Sequence, residues 1–336
     1  MQTTLFVGVD VASQTFVANS LQHKSTEFKN TKAGFTKFFK TFGLTDNHWI
    51  GMDVTGNYHL KLATFLYECG LRVSVVPGRQ IKHFCIMNFE LAKTDKRDAE
   101  MIRKYLEFQH ALPEYKKLVL WEPDPPHIVY AKEIITYLYK HTRVTVMLQN
   151  HLHALKAKGR KSSTTGRWID SDLSSFTKKI KKARKALLEI VKNNYPRELT
   201  LITSIPGFGT YSASVILVLY RGFQKFNTKV QVRGFLGMHA STFYSGESIK
   251  GSGRMPKDGS AFGRYVMFNI VTSAIIYNPL VKAKYERLTG NGKHHMKAKI
   301  ACCNVLLNQA FAVCKKNLPY NQSFKSQLPQ HDKTKN

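Results

Sequence analysis

Short apolar runs alternate with amphipathic stretches through the first 110 residues of the chain. Strand-like runs occur at residues 5–9, 15–20, 49–52 and 72–76. Apolar positions at helical spacing predict helices at residues 31–42, 58–69 and 95–108. The first two strands can pair as a hairpin, and the later strands alternate with helices. This order predicts an α/β domain with a mixed sheet over residues 1–112.

The rest of the chain has the periodicity of helices. Four prolines between residues 111 and 126 predict a linker. Residues 128–158 predict one long helix, and a second helix is expected to begin near the capping cluster Asp170-Ser171-Asp172. Its apolar positions from Leu173 to Ile190 step by three and four, as in a coiled-coil seam. We therefore expect a helical coiled-coil segment at 128–193, a mainly α domain at 199–318 and a polar tail at 319–336.

The charge balance points to a polyanionic partner. The 336 residues include 51 Lys and Arg against 22 Asp and Glu, a net charge of +29. Eleven of these cations lie between residues 151 and 185, where only two acidic residues occur. A run of one sign favours contact with a nucleic-acid backbone over a merely solvated face. We expect DNA contacts from Lys158, Arg160, Lys161, Lys250 and Arg254.

Other compositional features argue against a membrane protein or a disulfide-stabilised one. No apolar run approaches the about 20 residues that span a bilayer, and the first residues lack the basic start of a signal peptide. The five cysteines show no CxxC spacing, which favours reduced thiols over a zinc site or a disulfide framework. We expect no membrane partner and a cytoplasmic location.

Four aspartates occupy positions that suit a metal site. Asp10 and Asp53 each follow a strand-like run, which places a carboxylate at a strand end. Asp95 and Asp98 are spaced i, i+3, so both project from one helix face. Any one of them could equally be a helix cap or a surface charge. Together, four carboxylates can hold two Mg²⁺ or Mn²⁺ ions, as in two-metal phosphodiester cleavage.

Two further motifs lie in the C-terminal half. Ile205-Pro206-Gly207-Phe208-Gly209 has the helix–hairpin–helix pattern, in which Gly207 and Gly209 would present backbone N–H groups to a DNA phosphate. The alternative is an ordinary pair of helices joined by a turn. Ser245-Gly246 lies in a basic, glycine-rich stretch. This pair is a common turn dipeptide, but Ser245 could act as a nucleophile on phosphorus if a base or metal lies close.

Taken together, these motifs resemble those of the insertion sequence 110 (IS110) family of transposases, which includes the Piv-type DNA invertases. The N-terminal matches are Gly8-Val9-Asp10-Val11-Ala12, Asp53-Val54-Thr55-Gly56-Asn57-Tyr58 and Lys93-Thr94-Asp95-Lys96-Arg97-Asp98-Ala99. The C-terminal matches are Ile205–Gly209, Leu236-Gly237-Met238 and Ser245-Gly246. The chain departs from the family at Asp53, where the family usually has Glu, and at Pro256-Lys257-Asp258-Gly259, where it favours a more basic run.

The resemblance implies a fold, a chemistry and partners. The implied fold is an RNase H-like (RuvC-like) N-terminal domain with an acidic tetrad at Asp10, Asp53, Asp95 and Asp98, followed by a C-terminal transposase domain with the helix–hairpin–helix. It further implies that Ser245 links covalently to DNA and that a structured RNA from the element guides target choice. Copies of the chain are expected to assemble as a dimer or tetramer through the coiled coil, associated with the bacterial nucleoid.

Three other functions remain compatible with the sequence. Actin-like sugar kinases and ATPases also begin with a strand ending in Asp, but they need a glycine soon afterwards, and Val11-Ala12-Ser13 follows here. A catalytically degenerate transposase copy would bind nucleic acid without cutting it. A RuvC-type nuclease would use the same acids with water as its only nucleophile.

Overall fold

A mixed five-stranded sheet forms the centre of the N-terminal part of the chain, as the sequence predicts. The strands are arranged in the order β3-β2-β1-β4-β5. β1 pairs antiparallel with β2, β2 with β3 likewise, and β1, β4 and β5 run parallel. Their bounds are β1 Leu5–Val11, β2 Thr15–Ser20, β3 Thr26–Lys29, β4 His48–Asp53 and β5 Arg72–Val76.

This computed structural model describes residues 4–54, 56–90, 94–112, 120–238, 244–245, 249–250 and 259–323; of residues 244, 245, 249 and 250 only the backbone is described. The chain divides into two units, Met1–Asp124 and Pro125–Asn336.

Helices cover both faces of the sheet in the first unit. They are α1 Lys32–Thr41, α2 Leu60–Glu68, α3 Gly78–Met87 and α4 Asp95–Ala111. Phe35, Phe38 and Phe42 of the α1 segment pack against Phe16 and Phe28 of the sheet, and all five rings are at least 96% buried. The sequence pattern misses β3 and α3, because β3 buries one phenylalanine and α3 only two side chains.

Two glycines allow α4 to lie directly on the sheet. Gly8 of β1 and Gly51 of β4 are neighbours in the parallel register. A Cβ on Gly8 would lie 2.0 Å from the backbone oxygen of Ala99, and one on Gly51 would lie 2.5 Å from the Leu106 side chain. Any larger residue would push α4 outward. Gly8 therefore sets how closely the α4 backbone approaches β1, and Gly51 leaves room for the Leu106 side chain over β4.

The second unit is almost entirely helical. It contains α5 Pro126–Ala157, α6 Thr164–Asn194, α7 Pro196–Thr203, α8 Thr210–Tyr220, α9 Lys229–Phe235, α10 Ala261–Tyr277, α11 Pro279–Gly290 and α12 His295–Lys316, with the two-residue strands β6 Tyr244–Ser245 and β7 Ile249–Lys250. One buried core joins these helices, with Leu138 of α5, Leu187 of α6, Leu217 of α8, Val271 of α10 and Leu306 of α12 all fully buried.

The long helical hairpin begins its second arm earlier than the sequence suggests. The prediction of a cap near Asp170 is wrong, because α6 begins at Thr164 and Ser163 Oγ accepts from Gly166 N (3.2 Å). Asp170 and Asp172 are exposed positions inside α6. Along the expected seam, Leu187 is fully buried and Leu173 is half-buried, and Ile169, nearer the tip of the hairpin, is also buried.

The start of the expected polar tail packs onto the second unit. Tyr320 N donates to Ser204 Oγ (2.8 Å), and Tyr320 OH donates to Asn278 Oδ1 (3.5 Å), so Tyr320 is held against the helices of this unit. Residues 324–336 lie outside the described part of the chain.

Within the described ranges, no single helix has both the length and the apolar composition to cross a bilayer. α10 and α11 meet both criteria only as a pair, and the chain bends by 97° between them.

Candidate functional site

Three carboxylates meet at the carboxyl end of β1. The ligand oxygens of Asp10, Asp95 and Asp98 all lie within 4.8 Å of one another. Asp10 is the sixth residue of β1, and the other two belong to the first turn of α4. Asp10 and Asp98 are half-buried, whereas Asp95 is exposed. The cluster thus joins a strand end to a helix start, as the sequence predicts for these three residues.

Local hydrogen bonds fix the start of α4 beside β1. Thr94 caps the helix, its Oγ1 accepting from Arg97 N (3.4 Å). Buried Arg103 donates from Nε to Asn19 Oδ1 (2.9 Å), and Asn19 Nδ2 donates to Ser25 Oγ (3.1 Å). Ser25 Oγ in turn donates to the backbone oxygen of Lys96 (2.9 Å). This chain of contacts ties the first turns of α4 to β2, so the backbone that carries Asp95 and Asp98 is fixed beside β1.

Asp53 lies on the same cleft but outside the three-carboxylate cluster. It follows Met52, which pairs with Val9 across β1 and β4, so it is the β4 neighbour of Asp10. A Cβ on Gly78 would lie 3.9 Å from Asp53 Oδ2, which places the Asp53 carboxylate beside the start of α3. The cleft has a volume of about 760 Å³ and is lined by all four predicted aspartates.

A buried histidine lies near Asp53. His59 is 6% exposed, and its Nδ1 has no hydrogen-bond partner among the described residues. Burial lowers the pKa of His59 more than the negative charge of Asp53 raises it. The imidazole is therefore held toward its neutral form beside the acidic cleft.

A fifth acidic residue also lines the cleft. Glu90 follows α3 and pairs with Arg97 of α4 at 3.5 Å. Burial raises the pKa of the Cys85 thiol, and the negative charges of Asp98 and Glu90 raise it further. Glu90 has no signature in the sequence pattern, because it follows a helix that the pattern does not reveal. These acids make the cleft electronegative.

The donor set of the cleft fits a hard divalent cation. Asp10, Asp95 and Asp98 offer carboxylate oxygens only, the ligands that Mg²⁺ and Mn²⁺ prefer. Within the described residues, the cluster contains neither the thiolate nor the imidazole that would favour zinc. Like charges at this spacing repel, and a bound cation would offset that repulsion.

A basic groove runs between α6 and α8 in the second unit. It has a volume of about 590 Å³ and is lined by Lys178, Lys181, Lys182, Arg184, Lys185, Leu188, Thr210 and Tyr211. Arg184 Cζ lies 4.3 Å from the Tyr211 ring centroid. Burial raises the pKa of Tyr211, and the Arg184 charge partly opposes this effect. All five charged side chains that line the groove are cationic, so it suits a row of phosphates.

The two predicted hairpin glycines have different surroundings. Gly207 has φ +106°, and a Cβ there would lie 2.6 Å from Ala274 Cβ, so close packing on α10 already requires a glycine. Gly209 is exposed at the N-terminus of α8, and its N donates to Ser212 Oγ (3.1 Å). Gly209 lies next to Thr210 of the basic groove, whereas Gly207 lines a smaller cavity of about 260 Å³ with Arg184 and Tyr211.

The remaining predicted contacts lie elsewhere or outside the described side chains. Lys158, Arg160 and Lys161 are exposed on the loop at the hairpin tip, about 30 Å along α6 from Arg184. Ser245 of β6 pairs with Ile249 of β7, and Lys250 is the second residue of β7. The side chains of Ser245 and Lys250 are not described. Arg254 lies outside the described residues altogether.

Comparison with protein families gives two matches. A profile for IS110-type DEDD enzymes, described as transposase, matches residues 7–118. A second profile, described as transposase of the IS116/IS110/IS902 family, matches residues 199–286. The first region contains the acidic cleft, and the second contains the turn at Gly207 and the β6–β7 hairpin.

Two relatives match over most of the chain, and a third matches over about a third of it. A pilin gene-inverting protein of Moraxella lacunata is 23% identical over 330 residues, covering 94% of this chain and 98% of the relative. Its counterpart in Moraxella bovis is 22% identical over 332 residues, with the same coverage. An uncharacterized 43.6 kDa protein of insertion element IS110 from Streptomyces coelicolor is 27% identical over 113 residues, 34% of this chain and 28% of that protein.

Proposed function

Because the chain belongs to the IS110 family of transposases, we propose that it cuts and rejoins DNA as the transposase or site-specific recombinase of an insertion sequence. The observation that carries this proposal is the meeting of Asp10, Asp95 and Asp98 within 4.8 Å at the carboxyl end of β1. The N-terminal unit would be an RNase H-like catalytic domain, a proposal supported by its mixed sheet of antiparallel and parallel strands.

Asp10, Asp95 and Asp98 would hold Mg²⁺ or Mn²⁺, with Asp53 as a further carboxylate on the same cleft. A divalent ion bound there supplies positive charge to the scissile phosphate and its leaving oxygen. The chain itself orients the carboxylates, because the Thr94 cap and the Arg103–Asn19 contact fix α4 against the sheet. Because the carboxylates are already close together in the folded chain, their mutual repulsion is overcome on folding and not when the ion binds.

Ser245 is the proposed nucleophile. Its Oγ would attack phosphorus, forming an O–P bond while the bond from phosphorus to the leaving sugar oxygen breaks. The serine hydroxyl loses its proton in this step, and the leaving sugar oxygen takes up a proton to become a hydroxyl. Attack of another strand's hydroxyl on the phosphoserine then reverses the step, so rejoining needs no external energy source. Support comes from the Ser-Gly motif, which lies inside the region matched by the second transposase profile.

Nucleic-acid binding would use the basic groove between α6 and α8, together with the exposed N-terminus of α8 at Gly209. Helix N-termini and lysine side chains both favour phosphate oxygens. Lys158, Arg160 and Lys161 at the hairpin tip would contact a separate backbone segment, because the tip lies far from Arg184 along α6. Lys250 and Arg254 remain proposed DNA contacts on the basic character of their stretch of sequence alone.

A structured guide RNA and a homo-oligomer complete the proposal. The net charge of +29 suits the phosphates of RNA as well as those of DNA. Met147 and Trp168, 63% and 67% exposed on the two arms of the hairpin, support packing of the hairpin against another copy. Loss of recombination after ribonuclease treatment, with DNA binding kept, would be the expected sign of the RNA.

Two alternatives make different predictions about the reaction products. A degenerate copy would bind DNA without cutting it, and the shorter Asp53 side chain is the feature that favours this alternative. A RuvC-type nuclease would cut DNA with water and leave no protein attached. Both therefore differ from the proposal in whether protein becomes linked to DNA.

The decisive experiment incubates the chain with the element's own DNA ends and Mg²⁺ or Mn²⁺ and looks for a denaturation-resistant DNA–protein adduct. We expect an adduct with wild type and none with Ser245→Ala. A matched control, Ser175→Ala on the exposed face of α6, should keep the adduct. Cleavage without any adduct would reject the serine mechanism, and binding without cleavage would support the degenerate copy.

A further inference from the structure

The end of α3 presents three apolar side chains to solvent. Ile86 is 52% exposed, Met87 56% and Phe89 92%. Phe89 is more exposed than any other large apolar side chain in the described part of the chain. Single exposed apolar residues are common, but three within four positions form a small patch. The core does not explain them, because α3 buries Ile81 and Phe84 on its opposite side.

The backbone at Phe89 is in a conformation that favours glycine. Its φ is +57°, in the left-handed region. Phe89 N donates to Ile86 O (3.1 Å), and Glu90 N donates to Cys85 O (2.9 Å). This is the hydrogen-bond pattern of a Schellman helix end, whose left-handed position is usually Gly. A bulky side chain there costs free energy in the folded state, and Phe89, 92% exposed, packs too little against the described part of the chain to recover that cost.

The patch lies on the rim of the acidic cleft. Cys85, Ile86 and Glu90 line the same cavity as Asp10 and Asp98. Phe89 stands between two of these lining residues in sequence and points away from the core. A DNA phosphate held at the carboxylates would therefore bring its neighbouring bases to this rim.

We propose that Phe89, flanked by Ile86 and Met87, is a wedge that contacts an unstacked nucleobase next to the scissile phosphate. The inference rests on the proposed function, because it takes the occupant of the cleft to be DNA. Aromatic rings bind bases of any sequence by stacking, and apolar wedges inserted at a base step open the duplex. The strained turn projects the ring outward, where it serves the substrate and not the fold.

The experiment uses the full chain and a duplex of the element's DNA end with the fluorescent base 2-aminopurine beside the cleavage point. Binding is read in Ca²⁺, and cleavage in Mg²⁺. Wild type should raise the 2-aminopurine fluorescence, because unstacking removes its quenching. Phe89→Ala should lose the rise and cut about tenfold more slowly, the scale of one lost base–aromatic stack. Phe89→Trp should restore both.

Two controls separate a wedge from a structural role. Phe89→Gly relieves the left-handed strain, so it should unfold no earlier than wild type while still losing the fluorescence rise. Leu21→Ala removes another highly exposed side chain of the same unit, 77% exposed and not lining the cleft, and should change neither readout.

The remaining outcomes each overturn the wedge in a different way. If Phe89→Ala cuts normally and keeps the fluorescence rise, the wedge is wrong and the proposed function stands. If Phe89→Ala leaves cleavage and the fluorescence rise unchanged and alters only the sedimentation of the chain, the patch binds protein and not DNA. If wild type neither cuts nor binds the duplex, the proposed function fails and the wedge fails with it.

Discussion

Gly8 and Asp10 lie two residues apart on β1 and have different parts in building the acidic cluster. Asp10 provides a carboxylate, while Gly8 leaves room for the α4 backbone at Ala99. The spacing of these residues in the Gly8-Val9-Asp10 motif therefore has a packing reason. A helix that lies this close to the strand brings its first turn to the strand's carboxyl end.

Replacing Gly8 by alanine should displace α4. The new Cβ would meet the Ala99 oxygen at 2.0 Å, a backbone atom that moves only with the helix. We expect destabilisation of about 1–3 kcal/mol and weaker Mn²⁺ binding. Thermal unfolding and Mn²⁺ titration provide the measurements. Gly234→Ala, where a Cβ meets nothing within 4 Å, is the matched control. Unchanged unfolding of Gly8→Ala would contradict the packing.

Asp53 is the predicted metal ligand that lies outside the close carboxylate cluster of the structure. The sequence predicts a four-acid site in which Asp53 stands where the family usually has Glu, and the close cluster contains Asp10, Asp95 and Asp98, with Asp53 elsewhere on the cleft. Strand-end position is readable from the pattern, but the reach of a side chain from the neighbouring strand depends on where α4 crosses the sheet. That crossing is set by tertiary packing, which periodicity does not reveal.

Lengthening the side chain at position 53 should therefore tighten the site. Asp53→Glu carries the carboxylate one methylene further into the cleft, and we expect severalfold tighter Mn²⁺ binding and faster DNA cleavage. Asp53→Asn should weaken both. Mn²⁺ titration by paramagnetic resonance measures the affinity. Weaker binding by Asp53→Glu would show that the shorter acid already suits the site.

At the scale of elements, the sequence predicts what periodicity and capping determine. β2 and β5 have the predicted bounds, and the predicted helix at 31–42 contains α1 between its caps at Thr31 and Phe42. β3 and α3 escape prediction because each buries too few side chains to leave a pattern. The start of α6 was misplaced because Asp170 and Asp172 resemble caps, whereas Ser163 provides the capping oxygen.

Two buried histidines should make the N-terminal unit sensitive to mild acid. Burial lowers the pKa of His48 and His59 below the ordinary value of 6.5. As the pH falls below about 6.5, the unfolded chain therefore binds more protons than the folded chain. The free energy of unfolding is highest above that pH and decreases on acidification. Thermal unfolding between about pH 7.5 and 5.5 should show the decline. His48→Gln should reduce it, and His153→Gln, an exposed site, should not.

At the scale of the whole molecule, charge decides the class of partner. The net charge of +29 predicts a polyanion, and the groove between α6 and α8 collects five cations on one surface. The sequence identifies this basic run, but it does not show which lysines face Tyr211 and which face solvent. That selection depends on how α6 packs against α8.

Nucleic-acid binding should weaken steeply with salt. Replacing Lys181, Lys182 and Lys185 by glutamine should reduce the slope of log affinity against log salt by about 3, because each lost phosphate contact removes about one unit. Lys282→Gln, Lys293→Gln and Lys297→Gln together make the same charge change outside the groove. They should leave the slope nearly unchanged. Equal effects of both triple variants would assign binding to net charge alone.

The most direct test of the acidic cluster as the centre of DNA cutting is recombination by Asp98→Asn. This change removes one carboxylate charge from the cluster with little change in side-chain volume. We predict that Asp98→Asn forms no joined DNA in Mg²⁺ or Mn²⁺ while binding DNA as tightly as wild type. Asp172→Asn, an exposed position on α6, should recombine normally. Recombination by Asp98→Asn at the wild-type rate would contradict a catalytic role for the cluster.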